Sequence, residues 1–239
     1  MRIAADEAAS TPEVLVDPAR LARAVVREEP FHFLVAEDQL PTDAATREAL
    51  ARDFPRYPSA GFFPYEAADC GPSIIAVVEA MTSPEFARAL GARLDLPGLE
   101  TYPPLVTICR HLNLRHGTIH TDSRSKIATA LLYLNPEWPH GSAGSLRFLQ
   151  RIDSIDDVVA DEIPPLYGTI AAFKRADNSF HGHLPFEGER PVIQVAWLSS
   201  MDEHARKTRR GGFSRWLKRW LGGLDARWGA GRKRDASHT

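Results

Sequence analysis

"IATALLYLN", residues 127–135, decides how the second half of this chain is read. It is a short apolar run closed by a turn residue, far below the ~20 residues needed to cross a bilayer, and it has the length and composition of a buried strand. Working outward, similar runs recur: "LVTICRHL" (105–112) and "GTIHTD" (117–122) upstream, then "LRFLQ" (146–150), "GTIAAFKR" (168–175), "FHGHL" (180–184) and "PVIQVAWL" (191–198) downstream. Short β-type runs at roughly regular spacing, separated by turn residues, predict an antiparallel sandwich or barrel rather than alternating parallel units. Residues 102–199 are then a β core.

The first hundred residues read differently. "VDPARLARAVVREEP" (16–30) predicts a helix with Asp17 as N-cap, Pro18 at the first helical position and Pro30 as its stop. "FHFLVAEDQLP" (31–41) follows as a short strand and turn. "TDAATREALARDF" (42–54) predicts a second helix capped by Thr42 or Asp43, and "TSPEFARALGARLDL" (82–96) a third, capped by Ser83. Between them lies an aromatic loop punctuated by Gly and Pro, "FPRYPSAGFFPYE" (54–66). The expectation is a helical N-terminal layer over 1–100 packed on the β core, the two forming a single domain over 1–200.

With 239 residues and 44% apolar composition, the chain can bury a sizeable core. Its two cysteines, Cys70 and Cys109, are too few for a disulfide framework and lack the paired spacing of a structural zinc site, which fits a reducing compartment. The first residues show no apolar run behind Arg2, so the expected location is cytoplasmic. The net charge of −2 hides an asymmetry: residues 201–239 hold eleven Lys/Arg against four Asp/Glu, a net of +7, and the first 200 residues carry a net of −9.

In a strand, side chains two apart share a face, so His120 and Asp122 converge while Thr121 points away. A third ligand comes from "NSFHGHLPFEGERPVIQVAWL" (178–198), where His181 and His183 share a face and Arg190 enters the last apolar run. Two histidines and one carboxylate on one face of a metal leave positions open for a co-substrate and dioxygen on non-haem Fe(II). A nearby arginine fork can hold a carboxylate bidentately. A lone His-x-Asp is common among nine histidines; the ordered set is what carries weight. His111 and His116 read as strand-edge or pocket residues. Between His181 and His183, the place after "NSF" and the nine-residue offset to Arg190 favour His181.

At these residues the sequence resembles the Fe(II)- and 2-oxoglutarate-dependent oxygenases, in particular their prolyl-4-hydroxylase-like branch. The resemblance rests on "HTD", "IATALLYLNPEW", "GSAGSLRFL", "NSFH" and Arg190 in that order, over about Leu105 to Trp197. It implies an α+β protein with a mainly β core, a double-stranded β-helix or jelly roll with N-terminal helices packed on it. It implies His120, Asp122 and His181 as iron ligands, with Arg190 and Tyr133 binding the distal carboxylate of 2-oxoglutarate. It also implies a hydroxylase that converts 2-oxoglutarate to succinate with Fe(II) and dioxygen, ascorbate serving as reductant. The chain departs from the pattern at Arg110, where relatives often have a tyrosine, and at Val192, where many have Ser or Thr. Asp122, present rather than Gly or Ala, argues against a halogenase variant. Candidate substrate-pocket residues are Arg110, Lys126, Trp138, Asn178 and His183.

Two rivals from other classes are a cupin-type metal-binding jelly roll without oxygenase activity, and a membrane-surface or partner-binding module with a vestigial site. The second draws on the tail, where Phe213, Trp216, Leu217, Trp220, Leu221 and Leu224 fall at helical spacing among Arg215, Lys218 and Arg219. Such a segment can lie on an anionic membrane surface, as a peripheral contact, or dock on the β core or a partner subunit. An acidic body without a binding motif argues against nucleic acid. The substrate class stays open among small molecules, sugars and peptides.

Overall fold

The computed structural model describes residues 16–204. Helix α1 is only Pro18–Leu21, with Asp17 accepting from the Ala19 amide at 2.8 Å. The expected continuation to Pro30 does not form. Val26–Arg27 becomes edge strand β1 instead, antiparallel to β2 (Phe33–Ala36), because strand pairing outweighs helix propensity where β-branched residues follow the first turn. Asp43, not Thr42, caps α2 (Ala44–Asp53) through the Thr46 amide. The aromatic loop contributes β3 (Phe62–Pro64), and α3 spans Pro72–Thr82. That helix buries Ile74, Val77, Val78 and Met81, and its apolar character shows no polar stripe to mark it. Ser83 caps α4 (Pro84–Arg93) through the Phe86 amide.

The remaining strands are β4 (Pro104–Leu112), β5 (Lys126–Tyr133), β6 (Arg147–Leu149), β7 (Ile170–Lys174), β8 (Phe180–Gly182) and β9 (Gly188–Leu198). A seven-stranded antiparallel sheet runs β1-β2-β7-β5-β9-β4-β3. Facing it, β6 pairs with β8, and bridges from His120 to His181, Leu146 to Ile163 and Leu149 to Val158 extend this smaller sheet on both sides. From β4 onward the chain therefore crosses repeatedly between the two sheets, which is the jelly-roll winding.

Period-two alternation divides the large sheet. Ile108, Ala130, Leu132, Ile170, Ile193 and Trp197 face the helices and pack with Phe86, Leu90 and Met81. Cys109, Leu131, Tyr133, Phe173 and Val192 face inward, against Leu146, Phe148 and Ile163 of the opposite wall. No helix among the described residues is long and apolar enough to cross a membrane. The amphipathic pattern expected over 213–224 lies outside the described residues.

Candidate active site

The site lies where the two sheets open. His120 and His181 are bridged through their backbones, each amide donating to the other's carbonyl at 3.0 Å, so their rings meet with centroids 4.3 Å apart. Asp122 follows two residues after His120, with its side chain turned inward. One ligand-capable atom from each of His120, Asp122 and His181 lies within 4.8 Å of the others. His120 is exposed at the mouth, and Asp122 and His181 are buried.

Each ring is oriented by its backbone. The Nδ1 atoms of His120 and His181 lie 2.8 and 2.9 Å from the carbonyls of Thr118 and Ser179. A carbonyl only accepts, so Nδ1 carries the proton and Nε2 presents a lone pair. Burial pushes His181 down to about 4, against the opposing pull of Asp122, so the ring is neutral near pH 7. For Asp122 burial acts upward, yet the Lys126 ammonium, His181 and hydrogen bonds from Lys126 and Thr129 hold it at about 2. Lys126 Nζ is 2.7 Å from Oδ1, and the buried Thr129 hydroxyl donates to Oδ2 at 2.5 Å. The neutral buried His181 and the ionised Asp122 are in the protonation states a divalent cation requires.

Arg190 enters the same cavity from β9. It shares the inward face with Val192, Gln194 and Ala196, and is 3% exposed. Its Nε donates to the Gly144 carbonyl at 2.8 Å and its Nη2 to the Tyr133 hydroxyl at 3.3 Å. Among the described residues it makes no ion pair with a carboxylate. Burial raises the Tyr133 phenol above its usual range, opposed by Arg190, so its O–H remains a donor. The cavity of about 340 Å³ is lined by these groups together with Phe62, Leu112, His116, Leu131, Leu146 and His183.

Residues 107–216 match the family model described as the 2OG-Fe(II) oxygenase superfamily. This region is a 2OG-Fe(II) oxygenase domain. Fe(II), 2-oxoglutarate and dioxygen are the cofactors such a domain implies. The chain is also similar in fold to solved prolyl hydroxylases. One from Pseudomonas putida is 19% identical, with 70% of this chain and 92% of that chain covered and a TM-score of 0.49. The viral collagen prolyl hydroxylase of Paramecium bursaria Chlorella virus-1 is 15% identical, with coverage of 70% and 96% and a TM-score of 0.46. A prolyl 4-hydroxylase of Phytophthora capsici is 19% identical, with coverage of 78% and 68% and a TM-score of 0.46. A search of curated proteins found no match.

The oxygenase domain brings together most, but not all, of the residues singled out in the sequence. Lys126 and His183 line the cavity. His183 lies outside the cluster of ligand-capable atoms: its Nδ1 is 2.7 Å from the Leu184 carbonyl and its ring packs over Gly117. A Cβ at Gly117 would lie 2.2 Å from that ring, and φ there is +86°. Arg110 is not in the cavity. It sits on the helix side of β4, where it bonds Glu189 and the Phe54 carbonyl, because alternation sends Cys109 inward and Arg110 outward. Trp138 donates to the Ala143 carbonyl and packs between His140 and Phe186, and Asn178 donates to the Pro30 carbonyl. Both are held by backbone carbonyls, Trp138 by a near neighbour in the chain and Asn178 by the distant Pro30, and neither lines the cavity. Thr129 and Gln194 were not singled out, although Thr129 is two residues from Leu131 on the inward face and Gln194 interrupts the apolar run of β9.

Proposed function

We propose that this chain is a non-haem Fe(II)- and 2-oxoglutarate-dependent hydroxylase of the prolyl-4-hydroxylase-like branch. In this reading His120, Asp122 and His181 hold the iron, and Arg190 with Tyr133 holds the distal carboxylate of 2-oxoglutarate. The observation that carries it is a buried arginine with no carboxylate of its own, in the same cavity as two imidazole lone pairs and an ionised aspartate. A buried cation without a counter-ion is costly, and an anionic ligand removes that cost.

When bound there, Fe(II) with 2-oxoglutarate and dioxygen supplies the oxidising chemistry, releasing succinate and CO₂ and placing one oxygen atom on the substrate. The protein's task is placement. Thr118 and Ser179 fix the two imidazoles through their carbonyls, and Thr129 fixes the carboxylate. Lys126 keeps Asp122 ionised. Arg190 offers the fork and Tyr133 a further donor. Leu112, Leu131 and Leu146 supply an apolar wall that limits water. Residues 1–200 act as one unit in this reading, supported by the shared core of the helices and the large sheet. The ordered motif supports the branch and leaves the target open among small molecules, sugars and peptides.

The test is anaerobic reconstitution with Fe(II), 2-oxoglutarate and ascorbate, then exposure to air with a cell extract. Succinate formation and a mass gain of one oxygen in an extract component are expected. A cupin-type metal-binding jelly roll would bind metal and form no succinate above the protein-free control.

A further inference from the structure

A second cavity of about 310 Å³, sharing no lining residue with the first, lies in the seam between edge strand β1, its neighbour β2 and the 160–166 segment of the opposite wall. Its floor is apolar, with Phe33, Val35 and Ile163. Val25 and Leu166 line it and are 78% and 37% exposed. Val158, beside the seam, is a further exposed apolar residue. The rim carries three acids, Glu37, Asp161 and Glu162, and one base, Arg27, whose guanidinium donates to the Val159 carbonyl. Glu162 is taken by Arg147, while Glu37 and Asp161 make no ion pair among the described residues. Exposed apolar side chains beside unpaired acids, along the edge of a sheet, describe a surface that expects a cover.

We propose that this groove seats the chain's own C-terminal segment, with apolar side chains between Phe213 and Leu224 entering the floor and the neighbouring Lys and Arg pairing with Glu37 and Asp161. Charge favours this occupant. Residues 205–239 hold eleven Lys/Arg against two Asp/Glu, whereas residues 1–15 hold one arginine against three acids and would be repelled by the rim. Reach favours it too. One cross-strand row runs Ala196–Thr129–Phe173–Phe33–Arg27, from the end of β9 to the groove. Four strand spacings are ~19 Å; sixteen residues, 197–212, separate Ala196 from Phe213, and the eight of them beyond His204 can by themselves span up to ~26 Å. The pattern of Phe213, Trp216, Leu217, Trp220, Leu221 and Leu224 supplies bulky apolar groups at the point where the chain arrives. Seated there, the segment closes the seam of the jelly roll and covers the β1 edge. The oxygenase reading is not needed for any step.

The test uses the full chain as a monomer fraction, treated with a water-soluble carbodiimide that joins touching amines and carboxylates directly, followed by peptide mass spectrometry. Amide links from Lys207 or Lys218 to Glu37 or Asp161 are expected, weakened at high salt. Val25→Ser with Leu166→Ser, both at exposed positions, should lower their yield about tenfold by removing roughly a kilocalorie or more of apolar contact. Exchanging charges, with Asp161→Lys and Lys218→Glu together, should restore the link that either change alone removes. Links scattered over other acids, links found only in dimers, or yields unaffected by the serine pair would overturn the proposal. So would their absence from a protein that co-sediments with phosphatidylcholine and phosphatidylglycerol vesicles, which would assign the tail to a membrane surface.

Discussion

Replacing Arg190 with methionine separates the two things this residue does. Its guanidinium is 3% exposed, and its hydrogen bonds go to neutral groups, the Gly144 carbonyl and the Tyr133 hydroxyl. Losing those bonds destabilises, while removing a buried cation that has no carboxylate stabilises, so the two effects oppose each other. The thermal midpoint of the empty Arg190→Met protein should therefore move by only a few degrees. Ligand binding should behave differently. A bidentate pair of charge-assisted hydrogen bonds to 2-oxoglutarate contributes ~3–5 kcal/mol, a loss of at least a hundredfold in affinity when removed. With Mn(II) in place of iron to prevent turnover, 2-oxoglutarate at a hundred times its Kd should stabilise the parent by ~2.7 kcal/mol, or ~5–10 °C for a chain of this size. In the variant the same concentration leaves ~0.4 kcal/mol, a shift of ~1–2 °C. Arg190→Lys should fall between them, keeping the charge and losing the fork. Scanning fluorimetry with and without 2-oxoglutarate reads all three proteins. A full ligand-induced shift in Arg190→Met would refute the assignment of the carboxylate to this side chain.

Thr129→Val, close to isosteric, removes the donor to Asp122 Oδ2 and should weaken Mn(II) or Co(II) binding ~10-fold or more in calorimetry, with the fold retained; unchanged affinity would mean the carboxylate needs no such anchor. His181→Ala should abolish metal binding and His183→Ala should keep it, and the reverse result would exchange the distal ligand. Acid should destabilise the metal-free protein in two windows. His181 sits at about 4 when folded against 6.5, so stability falls as pH drops from 6.5 towards 4, by up to ~1.4 kcal/mol per unit, with His183 acting in the same direction. Asp122, at about 2 against 3.8, extends the loss below pH 4. Urea midpoints that stay flat from pH 7.5 to 5 would contradict a neutral buried His181.

How much of this was legible in the sequence depended on whether the signal was local. The strands β4, β5, β7 and β9 showed as apolar runs bounded by turns, and Asp43 and Ser83 marked their helices because a cap is a one-residue signal. The interior of α3 gave no stripe to read, since it is apolar over most of its surface. The fate of 22–27 was hidden because Val26 and Arg27 are held by Leu34 and Phe33, a pairing that local propensity does not contain. At the site, the spacing of His120 and Asp122 was readable, but the orientation of their neighbours was not. Arg110 looks like a cavity residue until the sheet assigns Cys109 inward, and Lys126 looks like a mouth residue until its ammonium is found on Asp122.

The charges of the cavity point to one last consequence. Lys126 and Asp122 form a neutral pair, both distal histidine and mouth histidine offer lone pairs, and Arg190 alone is left uncompensated. A divalent cation entering by itself places two positive charges beside Lys126 and Arg190, while 2-oxoglutarate entering by itself places two negative charges against Asp122 as well as Arg190. Together they add no net charge to a low-dielectric cavity, so each removes the repulsion the other meets. Binding of the two should therefore be coupled, and the coupling must be reciprocal: the factor by which Mn(II) tightens 2-oxoglutarate equals the factor by which 2-oxoglutarate tightens Mn(II), expected at ~5–150-fold. Lys126→Met sharpens the point. It removes one of the two cations that repel a metal entering alone, so less repulsion is left for 2-oxoglutarate to relieve and the coupling factor should shrink. Calorimetric titrations in both orders measure it, and independent binding of the two ligands to the parent protein would show that this charge balance does not govern the site.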